Sequence, residues 1–198
     1  MANVTYLDNV DDTRVKDLMG STNKNVEYFT NILDEIVTAH VSNLDSIMKA
    51  FYLKHRDYKK ANLDIPIKDL ENMYLELANT LYFAGDKLES LGIHNDMSKA
   101  AKQEVYNKAY LDNQIKDTDK KNKTTVAENA AVAEQSAQYE SVVNSIYERA
   151  YKMVKYKIDA GYEVLNTLRK LISRRMQEVD LSNSYRQPNT GFIKSDEV

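Results

Sequence analysis

Cysteine is missing from the 198 residues, which excludes disulfides, thiolate metal sites and cysteine nucleophiles. Glycine is scarce and scattered, five residues in all, so no phosphate-cradling loop of the P-loop or dinucleotide type can be assembled. The two prolines, Pro66 and Pro188, leave long stretches in which nothing interrupts a helix. No apolar run approaches the ~20 residues needed to span a bilayer, so no membrane partner is expected. The opening Met1-Ala2-Asn3-Val4-Thr5 has neither a basic n-region nor an apolar h-region, and the expectation is a soluble intracellular chain without a secretory signal. Alternation of strand length is absent, as is any internal repeat.

The chemistry of an active site is equally thin. None of His40, His55 and His94 belongs to an HExxH or Glu-x-x-His pair, so neither a metal nor another cofactor is expected. The serines lack a Gly-x-Ser-x-Gly setting, and pairs such as Asp34-Glu35 are ordinary surface charge. These absences predict no catalytic residue and no enzymatic activity.

What is present reads as helix. Hydrophobic residues make up 42% of the chain and charged residues 29%, enough for a core and a solvated surface. The longest signal runs over residues 125–178. Its start carries a capping-box pattern, Thr125-Val126-Ala127-Glu128, followed by an alanine-rich stretch of high helix propensity. Apolar or small residues then recur at Val143, Tyr147, Ala150, Val154, Ile158, Gly161, Leu165, Leu168, Ile172, Met176 and Val179. The steps average about 3.6, the period of a straight α-helix rather than of a two-stranded coiled coil. An unbroken helix of roughly 50 residues would be about 80 Å long, so part of it is expected to lie against other helices or other copies of the chain.

The remainder predicts three moderate helices. The first spans about 21–58, with a stripe of Val26, Phe29, Leu33, Ile36, His40, Leu44, Ile47, Phe51 and His55. Its end gathers Lys54, His55, Arg56, Lys59 and Lys60 among Phe51, Tyr52 and Tyr58, as suits a helix C-terminus. Residues 62–66 form a break, because Pro66 disfavours helix at Ile65. The second helix spans about 68–91 with Leu70, Met73, Tyr74, Leu77, Leu81, Leu88 and Leu91 inward, and Gly92 stops it. Gly85 inside it suggests a close helix approach. The third spans about 97–115, capped by Asn95 or Asp96, with Ala100, Ala101, Val105, Ala109 and Leu111 inward. The predicted organisation is an all-α fold: a polar arm over 1–20, a single helical domain over 21–178 with a linker at 116–124, and a flexible tail over 179–198. The long helix is expected to join an oligomer interface.

Charge is unevenly spread. Between residues 149 and 175 stand Arg149, Lys152, Lys155, Lys157, Arg169, Lys170, Arg174 and Arg175 against Asp159 and Glu163, about +6 in a chain of net charge −3. Tyr151, Tyr156 and Tyr162 are interleaved. Cations for phosphates and rings for stacking bases suit a single-stranded nucleic-acid surface, which makes those eight cations the candidate binding residues. The competing reading is a solvated face, or cations paired with acidic helices of the same fold, with the tyrosines as core or boundary residues.

Three segments carry a resemblance. They are Leu88-Glu89-Ser90-Leu91-Gly92-Ile93, then Lys102-Gln103-Glu104-Val105-Tyr106-Asn107-Lys108-Ala109-Tyr110, then Tyr147-Glu148-Arg149-Ala150-Tyr151-Lys152 leading into Leu168-Arg169-Lys170-Leu171-Ile172-Ser173-Arg174-Arg175-Met176-Gln177-Glu178. Their order resembles that of small helical proteins of tailed phages, among them the UvsY-like recombination mediators, whose late helix ends in a sequence of the type Ile172-Ser173-Arg174-Arg175. The resemblance covers the second half of the chain, and residues 1–66 have no counterpart in it. It implies an oligomeric, non-enzymatic bacteriophage protein of the host-cell cytoplasm that binds single-stranded DNA and helps load a recombinase, with Arg174 and Arg175 touching DNA. The alternative is a structural or assembly protein of the phage particle, a connector, scaffold or other virion component. That protein would act through helix–helix contacts with its own copies or with other phage proteins.

Overall fold

The computed structural model describes the backbone of residues 12–118 and 125–186 and the side chains of residues 24–115 and 125–182. Among the described residues the protein is all-α and has no strand. Its helices are α1 Asp12–Lys60, α2 Ile67–Thr118, α3 Val126–Ser136 and α4 Gln138–Arg186. The lengths invert the expected division. Three helices are long, of 49, 52 and 49 residues, and the short one of 11 residues is the front of the segment read as a single long helix.

Several boundaries have a local cause. α1 begins at Asp12 and passes through Gly20, so the arm expected over 1–20 is helical from residue 12; residues 1–11 lie outside the described residues. It ends in a Schellman turn. The Asn62 N–H donates to the Lys59 carbonyl at 3.2 Å and the Leu63 N–H to the Tyr58 carbonyl at 3.0 Å, with Asn62 at φ 52°. Asparagine tolerates that left-handed conformation better than most residues with a Cβ. The Pro66 carbonyl then accepts from the amides of Asp69 and Leu70, at 3.0 and 3.1 Å, and opens α2 where the break was predicted.

The stop predicted at Gly92 and the new start at Asn95 or Asp96 do not occur. α2 runs through both. A glycine ending a helix at C′ takes positive φ, and no described glycine does. Gly92 instead lies under the Tyr151 ring, which a Cβ there would touch at an ordinary 3.4 Å. The capping box at α3 forms as read. Thr125 Oγ1 accepts from the Glu128 N–H at 3.3 Å, and Glu128 Oε2 accepts from the Thr125 N–H at 2.7 Å. These bonds hold the Glu128 carboxyl below its usual range, the backbone bond first.

The expected continuous helix over 125–178 is divided at Ala137, which sits at φ −93°, ψ 14°. Ser136 Oγ, just before it, donates back to the Val132 carbonyl at 2.9 Å, a bond that Thr80, Ser145 and Thr167 also make inside unbroken helices. The ladder resumes with the Ser141 N–H on the Ala137 carbonyl at 2.9 Å. α4 then passes Gly161 unbroken and continues to Arg186, so the tail expected from 179 is helical through 186. Residues 187–198, and 119–124 of the expected linker, lie outside the described residues.

The chain forms two compact units. Unit 1 takes α1 as far as His40, α2 from Leu88, α3, and α4 as far as Val154. Unit 2 takes α1 from Val41, α2 as far as Lys87, and α4 from Lys155.

Unit 2 has a core of large side chains. Val41, Leu44 and Phe51 of α1 are buried, as are Leu70, Met73, Leu77, Leu81 and Ala84 of α2 and Ile158 and Leu168 of α4. Gly161 of α4 is where they crowd. A Cβ there would stand 2.7 Å from Leu81 Cδ2 and 3.4 Å from Leu44 Cδ1, so those leucines fill the space a larger residue would need. Unit 1 buries smaller groups: Val37, Leu91, Ala133, Ala137, Ala150 and Val154. Asn129 is buried with them, its Oδ1 accepting from Asn113 Nδ2 at 2.6 Å.

Several side chains expected inward face out. On α1, Val37 and Val41 take the core, whereas Val26, Phe29 and His55 are exposed. On α2, Ala100, Ala101 and Leu111 are exposed while Val105 and Ala109 are half-buried. Met176 and Val179, the last rungs of the α4 ladder, are exposed too. Nothing described lies within 4 Å of a Cβ built on Gly85, so no close approach there requires the glycine.

Candidate functional site

The eight cations proposed for phosphates fall in both units, and α4 gives them different surroundings. In unit 2, Lys157 Nζ donates to Asp45 Oδ2 of α1 at 2.5 Å. Arg175 pairs with Asp64 and, at 2.9 Å, with Glu178; the two carboxylates, Asp64 first, raise the guanidinium pKa still further. Arg174 Nε donates to the same Glu178 at 3.1 Å. Lys155, Arg169 and Lys170 are exposed and form no ion pair among the described residues. Arg169 and Lys170 border a shallow cleft with Glu163, Asn166, Ser173 and Gln177. In unit 1, Lys152 Nζ meets Glu148 Oε1 at 2.5 Å, one helical turn earlier, and holds that carboxyl below its usual range. Arg149 is exposed at the rim of a groove described below.

Four of the eight cations, Lys152, Lys157, Arg174 and Arg175, are therefore engaged by carboxylates of this chain. Exposed pairs of this kind are worth ~0–1 kcal/mol and are exchangeable, so pairing weakens a phosphate site without abolishing it. Arg174 and Arg175, the two positions carried over from the resemblance, share one carboxylate. Asp159 and Glu163 also point outward on α4, between Lys155 and Lys170, and interrupt the run of positive charge. The tyrosines divide as well. Tyr151 is half-buried over Gly92, whereas Tyr156 and Tyr162 are exposed.

The aromatic and basic cluster ending α1 is an intramolecular network. Tyr58 Oη donates to Asp69 Oδ2 at 2.8 Å, and Lys54 Nζ stands 3.1 Å from the same oxygen. The Asp69 carboxyl is held below its ordinary value by these bonds, Tyr58's first, and the Tyr58 phenol is raised by its bond to the carboxylate. Phe51 is buried; Tyr52 is exposed.

Sequence reasoning missed a groove of about 840 Å³ in unit 1, formed where all four helices contribute. Its lining includes Phe29, Leu33, Val142 and Ile146 together with Lys102, Arg149 and Glu134. No period reveals it, because it lies between elements distant in sequence. Among the described residues no group of three or more histidine and carboxylate side chains could hold a metal ion. No described helix is long and apolar enough to cross a membrane. No protein-family model matches this chain, nor does any curated protein or solved structure, so the likeness to UvsY-like mediators rests on the quoted residues alone.

Proposed function

We propose that this chain is a non-enzymatic assembly protein that works through helix–helix contacts with protein partners. The observation that supports this reading is the amount of large apolar side chain standing on α2 away from either core. Leu75, Tyr82 and Phe83 in unit 2 are 60%, 69% and 63% exposed, and Ile93, Met97 and Leu111 in unit 1 are 61%, 65% and 54% exposed. A soluble chain leaves such residues at helical spacing in water at a cost of roughly 25 cal/mol per Å², which a docked helix recovers. The tailed-phage resemblance supplies a setting, a connector, scaffold or other virion component with further phage proteins as partners.

A second reading keeps single-stranded nucleic acid as the ligand. Lys155, Arg169 and Lys170 favour it, unpaired among the described residues and in the same unit as the exposed Tyr156 and Tyr162. Anisotropy of labelled single- and double-stranded oligonucleotides, titrated at low and near-physiological salt, separates the two. The assembly reading expects no binding even at low salt. Preferential single-strand binding that weakens linearly on a log–log salt plot would overturn it, and Arg169→Ala with Lys170→Ala would then lower the slope by about one per cation.

A further inference from the structure

Unit 1 presents a second apolar line on α2, turned away from the face that carries Leu91, Val105 and Ala109. Met97, Ala101, Glu104, Lys108, Leu111 and Ile115 follow one another at steps of 4, 3, 4, 3 and 4, the alternation of a two-helix seam, and all six are exposed. We propose that this line is the contact through which two copies of the chain pair, α2 against α2, antiparallel about a two-fold axis level with residue 106. The proposal rests on the assembly reading above and names its first partner as a second copy.

Charge and size select that register. In the antiparallel pairing Met97 faces Ile115 of the other copy, Ala101 faces Leu111, and Glu104 faces Lys108, each contact occurring twice because the interface is isologous. Small meets large at the alanine layers, which interdigitates the two surfaces. Opposite charges meet at the centre, and neither Glu104 nor Lys108 has an ion-pair partner among the described residues. A parallel pairing would set Glu104 on Glu104, Lys108 on Lys108 and alanine on alanine, with repulsion and a gap. The described seam is about 27 Å long, short for a permanent interface, so the dimer is weak and concentration-dependent.

The absence of cysteine makes the test clean in the full chain. Sedimentation velocity across a concentration series is expected to show a reversible monomer–dimer equilibrium. Glu104→Lys places lysine against Lys108 and is expected to raise the dimer dissociation constant roughly tenfold or more. Lys108→Glu does the same, and the double exchange restores pairing. Ala101→Cys with Leu111→Cys is expected to give a disulfide-linked dimer on mild oxidation. Ala101→Cys alone is expected to give none, because its partner thiol lies about 15 Å along the seam. All four positions are exposed, and circular dichroism checks that helicity is kept. A chain monomeric at every concentration overturns the proposal. So does a dimer indifferent to Glu104→Lys, or efficient cross-linking of Ala101→Cys alone, which would mean a parallel register. A dimer of the expected register that nevertheless binds single-stranded DNA would sink the assembly reading and leave the seam intact. A monomer without DNA affinity would do the reverse.

Discussion

Units 1 and 2 share three helices yet are held together by different means. Unit 2 packs leucine, phenylalanine and methionine into its core, ringed by charge-assisted contacts: Lys54 and Tyr58 of α1 on Asp69 of α2, Lys157 of α4 on Asp45 of α1, and Arg175 of α4 on Asp64 of the α1–α2 connection. Unit 1 relies on alanines, a glycine under a tyrosine ring, and neutral contacts such as Asn113 on Asn129, Ser98 on Asn144 and the stacked rings of His94 and Tyr147. Small core residues let helices approach closely but remove little apolar area from water, and buried area is the larger stabilising effect. Both units nevertheless leave large apolar residues outside, Val26, Ile93, Met97 and Leu111 in unit 1 and Leu75, Tyr82 and Phe83 in unit 2.

Three measurements sharpen or break this contrast. The largest effect is expected in unit 2 for Leu77→Ala, since Leu77 is 0% exposed: about 2–5 kcal/mol lost in urea unfolding, from transfer and cavity together. A loss well under 1 kcal/mol would mean the unit is not held by its leucines. Next comes Ala150→Leu in unit 1. Ala150 is also 0% exposed, and the added volume is expected to cost about 1–3 kcal/mol by forcing close-packed helices apart. Stabilisation instead would show that unit 1 has room to spare, and the distinction between the cores would fall.

The smallest effect concerns the charged rim of unit 2. The Asp69 carboxyl titrates below its ordinary value of 3.8, so between the two values the unfolded chain binds more protons than the folded one. The contact therefore stabilises above the ordinary value and is lost as pH falls through the folded value. Asp69→Asn is expected to flatten that part of the acid-unfolding curve while leaving the curve's shape near neutrality unchanged. An unaltered acid limb would show that the network contributes nothing. Tyr58 works oppositely at the alkaline end: its raised phenol retains the contact below its ordinary value of 10.0 and loses it as pH rises through the folded value.

Some features were legible in the residues and others were not, for identifiable reasons. The break at 62–66 was readable because Pro66 acts on its immediate neighbour, and the capping box because Thr125 and Glu128 need only each other. Gly92 misled because a glycine ends a helix in this way only when it takes positive φ, and residue type alone does not say whether it does. The division at Ala137 carries no breaker; it is a small shift of dihedral within an alanine-rich run that favours helix, with no residue of its own to announce it. The candidate cations were identifiable by type and spacing, but not their partners: Lys157 meets a carboxylate 112 positions away.

By itself the sequence determined the helical class, the turn at Asn62, the start of α3 and the absence of cysteine chemistry, because each follows from composition or from groups within a few residues. Tertiary structure alone decided that residues 67–118 form one helix, that Val37 and Val41 are buried while Ile36 and His40 are only half-buried, and that Leu111 and both Ala100 and Ala101 face out. Those outcomes depend on which faces meet. A helical period fixes the faces a helix offers, whereas the surfaces available to cover them are supplied by the rest of the chain.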